Sequence, residues 1–255
     1  MRGLIEQQKS VIPACDVAGL TKLRDLVIAT SSVPGIGGYK VGLELAIPFG
    51  LKRVVEVIRE KSQLPIIYDH QKGGTDIPDL GTKFAQAVVS SGANAVILFP
   101  FGGAATERDW IKACQSAGLV VLVGGHMTQP EFLESEKGFI ANSGPERIYE
   151  IAAKLGITDF VVPGNKADFV LKYRQLFDTI LGRGNFTLYA PGFISQGGDI
   201  SETGKVAGNI WHAIVGGAIY KEEGIENMRQ AALKVTSQIT GGKEEKDGKD
   251  KFIGD

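Results

Sequence analysis

The stretch Pro65-Ile-Ile-Tyr-Asp-His-Gln-Lys-Gly-Gly-Thr-Asp-Ile-Pro78 joins a short, very apolar segment to a turn crowded with charge. Such an apolar run is typical of a parallel strand, which is buried on both faces of its sheet. Charges at the exit of a buried strand are costly unless they pair or take part in chemistry. Asp69, Lys72 and Asp76 are therefore candidate catalytic residues, because two carboxylates beside one ammonium can stabilise charge that develops nearby.

Seven further segments repeat this pattern along the chain. The predicted strands cover residues 11–14, 38–41, 65–68, 95–99, 120–123, 160–162, 187–189 and 213–215. The clearest helical patterns between them cover residues 51–61, 82–91, 107–117, 145–155 and 227–239. Eight alternating βα units fit a closed (β/α)8 TIM barrel of the α/β class better than an open doubly wound sheet.

We predict a single barrel domain over residues 1–240 and a charged tail over residues 241–255, which we expect to be disordered because it has almost no apolar content. The net charge of −1 and the absence of a basic run argue against a nucleic-acid partner. No apolar segment reaches the roughly 18 residues of a membrane helix, so we expect no membrane role. The polar N-terminus does not resemble a signal peptide, and we expect a cytoplasmic location.

The cysteines and histidines give no metal-ligand spacing. Cys15 and Cys114 lie far apart, which favours two reduced, buried thiols over a disulfide or a zinc site. His70, His126 and His212 are dispersed, although each falls near a predicted strand end. We therefore predict no metal site.

In a barrel, the carboxyl ends of the strands share one face, so residues distant in sequence are expected to converge there. The expected set is Asp16, Lys40, Asp69, Lys72, His126, Thr128, Gln196 and Gly216. Taken singly, Asp16 and Lys40 are explained equally well as solvated charges at strand ends. Together with Asp69 and Lys72, they are expected to form an alternating cluster in which a lysine between carboxylates stays protonated and can donate a proton to a carbanion.

Two glycine-rich loops follow the seventh and eighth predicted strands: Ala190-Pro-Gly-Phe-Ile-Ser-Gln-Gly-Gly-Asp199 and Val215-Gly-Gly217. In this fold these loops commonly bind phosphate through backbone amides. Tight turns that need a positive φ explain the same glycines. The position of both loops together favours a phosphorylated substrate.

The segment Gly124-Gly-His-Met-Thr-Gln-Pro130 follows the fifth predicted strand. Thr128 and Gln129 carry groups that can donate and accept hydrogen bonds to an amide or a ring edge. Thr128 would serve equally well as the cap of the following helix. The sequence leaves both interpretations open.

Taken together, these motifs resemble those of orotidine 5′-phosphate decarboxylases, and more closely a divergent archaeal or bacterial branch of that family. The resemblance extends from Asp16 to Tyr220. It is carried by Lys40-Val-Gly, the charged motif that ends at Pro78, the loop from Pro191 to Asp199, and the segment from Ile214 to Tyr220.

The resemblance implies decarboxylation of orotidine 5′-monophosphate to uridine 5′-monophosphate without a metal or an organic cofactor. It implies that Lys72 protonates C6 of the pyrimidine and that Asp69 lies against the departing carboxylate. Lys40 would orient this network, and Asp76 would enter the partner's site across a homodimer interface. The substrate-binding residues implied are Asp16, Ile77, Thr128, Pro191, Gln196, Gly197, Gly198, Gly216 and Gly217.

Three features depart from the family pattern, and one of them is Leu80, which stands where the family carries a threonine just after Ile-Pro. Asp69 and Lys72 are one residue further apart than in the family, as are Lys72 and Asp76, so either Asp69 or His70 faces the pocket. Gly217 stands where the family carries a phosphate-binding arginine. Two other functions stay open: a magnesium-dependent hexulose-phosphate synthase or ketogulonate-phosphate decarboxylase of the same superfamily, and a barrel that binds a phosphorylated ligand without catalysis.

Overall fold

The computed structural model describes residues 3–70, 73–193 and 197–240. Its strands are β1 (Lys9–Pro13), β2 (Tyr39–Val41), β3 (Ile66–Asp69), β4 (Ala95–Leu98), β5 (Val120–Gly124), β6 (Asp159–Val161), β7 (Thr187–Ala190) and β8 (Trp211–Val215). They form one parallel sheet in the order β1-β8-β7-β6-β5-β4-β3-β2. Each predicted strand overlaps one of these eight.

The two ends of this sheet meet at a seam between β1 and β2. Ala14 and Lys40 form a parallel bridge there, and the amide of Cys15 donates to the carbonyl of Lys40 over 2.8 Å. A second bridge joins Val11, in the middle of β1, to Ile36. The sheet therefore closes, and the predicted (β/α)8 barrel is confirmed.

Helices follow the strands around the barrel. They are α1 (Leu20–Thr30), α2 (Leu43–Phe49), α3 (Leu51–Arg59), α4 (Gly81–Ser90), α5 (Ala104–Ser116), α6 (Gly144–Lys154), α7 (Ala167–Leu181), α8 (Ile200–Ala207), α9 (Gly217–Tyr220) and α10 (Ile225–Thr240). Short 3₁₀ turns lie at Pro78–Leu80 and Glu134–Glu136. The five predicted helices correspond to α3, α4, α5, α6 and α10.

Helix α3 shows how the sequence pattern places a helix on the barrel. Val54, Val57 and Ile58 are buried, whereas Arg53 and Glu56 on the opposite face are exposed and form an ion pair. Apolar residues at this spacing form one stripe along a helix. Burial of that stripe against the outer surface of the strands holds α3 in place.

Alternate side chains of the strands enter two separate cores, because successive residues of a strand point to opposite faces. One core fills the inside of the barrel, and it includes Ile12, Ile67, Ile97, Leu122, Val161 and Ile214. The other lies between the barrel and the helices, and it includes Val11, Tyr39, Val41, Ile66, Tyr68 and Val96. Lys40 lies between the outward Tyr39 and Val41, so its side chain points into the barrel.

Cys15 and Cys114 are both free and buried, as predicted. Burial raises the pKa of the Cys114 thiol to about 12 and also raises the pKa of Cys15. None of the described helices combines the length and the apolar composition that a membrane span requires. The predicted tail over residues 241–255 lies outside the described part of the chain.

We predict that Gly124→Ala destabilises the barrel, because a methyl group at this position would lie 2.2 Å from Cζ of Phe99. Overpacking of this kind costs about 1–3 kcal/mol of the free energy of unfolding. Gly19→Ala is the matched control, since no described atom lies within 4 Å of the methyl group that it adds. Urea unfolding monitored by circular dichroism measures both variants. Equal stability of the two would mean that the barrel has free space beside Phe99.

Candidate active site

A cavity of about 200 Å³ opens at the carboxyl ends of the strands. Six of the residues that the sequence predicts to converge line it together: Asp16, Lys40, Asp69, His126, Thr128 and Gly216. They come from five different strands or strand ends, separated by up to 200 residues of sequence. The other two members of the predicted set, Lys72 and Gln196, lie outside the described residues.

A cluster of one cation and two anions forms one wall of this cavity. Nζ of Lys40 lies 3.2 Å from Oδ2 of Asp69 and 3.3 Å from Oδ1 of Asp16. Lys40 is 7% exposed and Asp69 is 5% exposed, while Asp16 is half-buried. Because Lys40 is withdrawn from water, the alternative interpretation as a solvated strand-end charge does not apply to it, whereas the half-buried Asp16 stays in partial contact with water.

The charge state of Lys40 follows from two opposing effects. Burial alone would lower its pKa, but the carboxylates of Asp69 and Asp16 outweigh that effect and raise the pKa above its ordinary value. Lys40 is therefore a permanent cation. A fixed ammonium of this kind holds the Asp69 carboxylate in place, so that Asp69 meets any ligand at a defined position in the cavity.

Side-chain direction distinguishes Asp69 from His70 at the end of β3. Asp69 continues the inward row that contains Ile67 and reaches Lys40. His70 instead forms a hydrogen bond with the hydroxyl of Tyr68, whose side chain belongs to the core outside the barrel. Asp69, and not His70, therefore faces the cavity.

Asp76 and Ile77 lie away from the cavity of their own chain, in the segment between β3 and α4. Helix α5 fixes their main chain: Thr106 Oγ1 donates to the Asp76 carbonyl over 2.8 Å, and Trp110 Nε1 donates to the Ile77 carbonyl over 3.0 Å. Their side chains are exposed, and Oδ1 of Asp76 accepts from the Ile77 amide over 2.7 Å. The segment is thus held firmly with both side chains facing outward.

Thr128 lies where the loops after β5, β6 and β7 meet. Nδ2 of Asn165 donates to the Thr128 carbonyl over 3.0 Å. Gly192 packs so closely that a methyl group on it would lie 2.9 Å from Cγ2 of Thr128. Helix α6 begins only at Gly144, so Thr128 does not cap it. Its half-buried side chain lines the cavity, as does Pro191.

The glycines after β7 shape their loop. The amide of Gly198 donates to the Gly192 carbonyl over 3.1 Å, and a methyl group on Gly198 would lie 2.6 Å from that carbonyl oxygen. Gly197 has a φ of 84°, a conformation that favours glycine. Asp199 caps α8 by accepting from the Glu202 amide over 3.0 Å. Gly197 and Gly198 are thus brought near the cavity without being among the residues found to line it.

A second ionic cluster, which the sequence did not reveal, joins the loops after β5 and β6. Nζ of Lys166 lies 2.6 Å from Oε1 of Glu136 and 3.0 Å from Nε2 of His126. Nδ1 of His126 is 2.8 Å from the hydroxyl of Tyr173. Oε2 of Glu136 accepts from the amide of Leu133 over 3.2 Å. His126 belongs to the set predicted to converge, and Lys166 follows a predicted strand without being predicted as a site residue. Glu136 lies far along an irregular segment where no periodicity marks it.

The protonation states in this second cluster are set by burial and by its one ammonium. Burial and the positive charge of Lys166 lower the pKa of His126 to about 4, against the opposing effect of Glu136. Lys166 lowers the pKa of Glu136, although partial burial acts in the other direction. His126 is therefore neutral at pH 7 and accepts a hydrogen bond from Lys166. No three His, Cys, Asp or Glu side chains of the described ranges are grouped as a metal site would require.

Comparison with known proteins identifies relatives along almost the whole chain. A sequence model described as "Orotidine 5'-phosphate decarboxylase / HUMPS family" matches residues 9–234. An orotidine 5′-phosphate decarboxylase of Methanosarcina barkeri is 32% identical over 240 residues, which is 92% of this chain and 96% of the relative. One from Pyrococcus abyssi is 28% identical and covers 86% of this chain and 94% of the relative.

Solved structures show the same fold. The orotidine 5′-monophosphate decarboxylase of Methanocaldococcus jannaschii, solved in complex with the inhibitor BMP, superimposes with a TM-score of 0.77 at 20% identity. The match covers 91% of this chain and 98% of that one. The orotidine 5′-phosphate decarboxylase of Pyrococcus horikoshii gives a TM-score of 0.73 at 24% identity and covers 91% and 99% of the two chains.

We predict that Lys166→Met raises the pKa of His126 from about 4 toward its ordinary value, because the substitution removes a cation that opposes protonation of the imidazole. His212, whose pKa burial lowers to about 4 and which pairs with Ser10, is an internal control that should not change. NMR titration of the imidazole resonances measures both groups. An unchanged His126 would mean that burial alone keeps it neutral.

The wild-type protein should also lose stability as the pH falls from about 6.5 to about 4, since the unfolded chain binds protons at His126 and His212 more readily than the folded chain does. The loss attributable to His126 should diminish in Lys166→Met. Urea unfolding at several pH values measures it.

Proposed function

Because the chain belongs to the orotidine 5′-phosphate decarboxylase / HUMPS family, we propose that it decarboxylates orotidine 5′-monophosphate to uridine 5′-monophosphate in pyrimidine biosynthesis. The relatives that match it over most of its length are named orotidine 5′-phosphate decarboxylases. The structural observation that carries the proposal is the buried cluster of Asp16, Lys40 and Asp69 at the barrel mouth.

The chemistry assigned to this cluster is electrostatic. Lys40 fixes the Asp69 carboxylate, so that it lies against the carboxylate of the bound substrate and the two like charges repel each other. The bond from C6 to the carboxylate breaks, carbon dioxide leaves, and the electron pair stays on C6. Lys72 then supplies the proton that C6 accepts and later regains one from water. An ammonium close to C6 also stabilises the carbanion as it forms.

Binding groups on both sides of the cavity orient the nucleotide for this step. The side chain of Thr128 reads the edge of the pyrimidine, and Asp16 accepts a hydrogen bond from a ribose hydroxyl. The loops after β7 and β8, which carry Pro191, Gln196, Gly197, Gly198, Gly216 and Gly217, take the phosphate. Binding energy from this remote group offsets the cost of bringing two carboxylates together.

A homodimer completes the proposed catalyst. Leu43, Ile47 and Phe49 on α2 are 47%, 71% and 38% exposed, and Ile77 is 59% exposed. Helix α2 follows β2 and Ile77 follows β3, so the two groups lie at the carboxyl ends of neighbouring strands. Exposed apolar side chains grouped in this way favour an interface. In the dimer, the outward Asp76 and Ile77 reach the cavity of the partner.

The proposal also includes independence from metals and organic cofactors. The family description covers further reactions, among them those of the magnesium-dependent sugar-phosphate enzymes considered above, so this part needs a direct test. The single domain over residues 1–240 and the cytoplasmic location expected from the sequence belong to the same proposal.

We predict that the purified protein consumes orotidine 5′-monophosphate at the same rate with and without EDTA, as measured by loss of the substrate's ultraviolet absorbance. Lys72→Ala should lower kcat by at least about a hundredfold, because it removes the proton donor. Lys234→Ala, an equal change of charge on the exposed face of α10, is the control and should keep full activity. Loss of turnover in EDTA would favour a metal-dependent reaction, and an active Lys72→Ala would exclude Lys72 as the donor.

We predict that mixing two inactive variants restores activity if Asp76 acts across the dimer. Lys72→Ala and Asp76→Ala should each be inactive alone. A heterodimer of the two has one site with both native residues, so random reassortment should recover about one quarter of the wild-type activity. The measurement is turnover after the variants are mixed, partly dissociated and reassociated. No recovery, with heterodimers demonstrated by mass spectrometry, would place Asp76 in the site of its own chain.

A further inference from the structure

We infer that Lys221 is the cation that binds the phosphate group of the substrate, because its side chain lies across Gly217 at the edge of the cavity. The inference rests on the proposed function, since it assigns a residue to the phosphate end of that nucleotide. Lys221 lies one helical turn beyond Gly216 and Gly217, the glycine pair that follows β8.

The position of Lys221 follows from the short helix α9. The amide of Lys221 donates to the carbonyl of Gly217 over 3.2 Å, which places the two residues one above the other on the same face. Side chains on a helix lean toward its N-terminus, so the Lys221 side chain returns over Gly217. A methyl group on Gly217 would lie 3.2 Å from Cε of Lys221 and 3.6 Å from its Nζ.

The neighbouring glycine makes the same kind of room for Tyr220. A methyl group on Gly216 would lie 3.2 Å from Cε1 of Tyr220, and the Tyr220 side chain lines the cavity. Because Gly216 and Gly217 have no side chains, the side chains of Tyr220 and Lys221 lie over the end of β8. A methyl group at 216 or 217 would require Tyr220 or Lys221 to shift by a few tenths of an ångström.

Lys221 differs from the other two lysines of this region in being free to bind a ligand. Lys40 is held between Asp16 and Asp69, and Lys166 is bound to Glu136 and His126. Of the ion pairs formed within residues 3–70, 73–193 and 197–240, none involves Lys221. Its side chain is exposed, so its ammonium keeps its water until an anion replaces it.

The position of Lys221 suits the binding of a phosphate group. Barrels of this fold commonly bind phosphate at the loops after the seventh and eighth strands, where backbone amides supply neutral donors. A phosphate dianion gains further from a charged donor, and the ammonium of a lysine serves as a compact point charge on a flexible stem. Lys221 provides that charge beside Gly216 and Gly217, which line the cavity.

An arginine at position 217 would deliver its charge to the same place. Its Cβ would lie 3.2 Å from Cε of Lys221, so that the lysine side chain would shift by a few tenths of an ångström, and two cations would then share one place. The two positions are therefore alternative sources of one cation. In the absence of Lys221, a guanidinium at 217 should take over its task.

The test measures two quantities for each protein. Calorimetry gives the affinities for uridine 5′-monophosphate and for uridine, and steady-state kinetics gives KM for orotidine 5′-monophosphate. Lys221→Ala should weaken binding of the monophosphate about tenfold or more, and raise KM correspondingly, while the affinity for uridine stays unchanged. Lys221→Arg should bind like the wild type, and the double variant Gly217→Arg/Lys221→Ala should regain most of the loss. Lys154→Ala on α6 removes an equal charge from another exposed site and should have no effect.

The inference is overturned if the phosphate group increases the affinity for the nucleoside equally in Lys221→Ala and in the wild type. The same holds if the phosphate group increases the affinity of neither protein. A parallel loss of uridine binding would also overturn it, since Lys221 would then act on the nucleoside or on the fold. Failure of the proposed function is a separate result: the wild type would leave orotidine 5′-monophosphate unchanged, and the comparison of uridine with its monophosphate would still decide the role of Lys221.

Discussion

The ammonium of Lys40 between two carboxylates is the interaction on which the barrel mouth depends. Asp16 follows β1, Lys40 lies in β2, and Asp69 ends β3, so the cluster ties three neighbouring strands together. It also spans the seam where the ring closes, beside the hydrogen bond from the Cys15 amide to the Lys40 carbonyl. Removal of Lys40 would take the ammonium from the buried Asp69 carboxylate, which is far more costly than exchange of the whole cluster for apolar side chains.

The lysines around the cavity are of two kinds: those held in ionic clusters and one that is exposed. Lys40 and Lys166 are held in ionic clusters, and each fixes carboxylates or loops in one arrangement. A charge held in this way contributes by preorganisation, because its surroundings need not reorganise when the substrate reacts. Lys221 is exposed and unconstrained, which suits a group that must exchange water for an anion.

The division follows the order of the strands. The proposed chemistry lies at the ends of β1 to β3, where the acidic and basic side chains are crowded. The groups proposed to bind the pyrimidine edge and the phosphate lie at the ends of β5 to β8, where glycines allow close approach between loops, as between Gly192 and Thr128. The second cluster, from His126 through Lys166 to Glu136, holds the loop after β5 on this binding side. A substrate that bridges both sides therefore meets the buried charges at one end and the glycine-rich loops at the other.

The sequence alone determined the eight strands, the closed barrel and the end of the barrel at which the polar residues gather, because buried parallel strands and amphipathic helices leave strong periodic patterns. It also placed Asp16, Lys40 and Asp69 at one end of the barrel, since the carboxyl ends of all the strands share that face. The alternation of side chains between two faces no longer applies once the chain leaves a strand. For this reason only the tertiary structure decided that Asp69 faces the cavity while His70 contacts Tyr68. The partnership of Glu136 with Lys166 and the return of Lys221 over Gly217 were likewise settled by packing, because contacts made by irregular segments and by helix termini leave no periodic signal in the sequence.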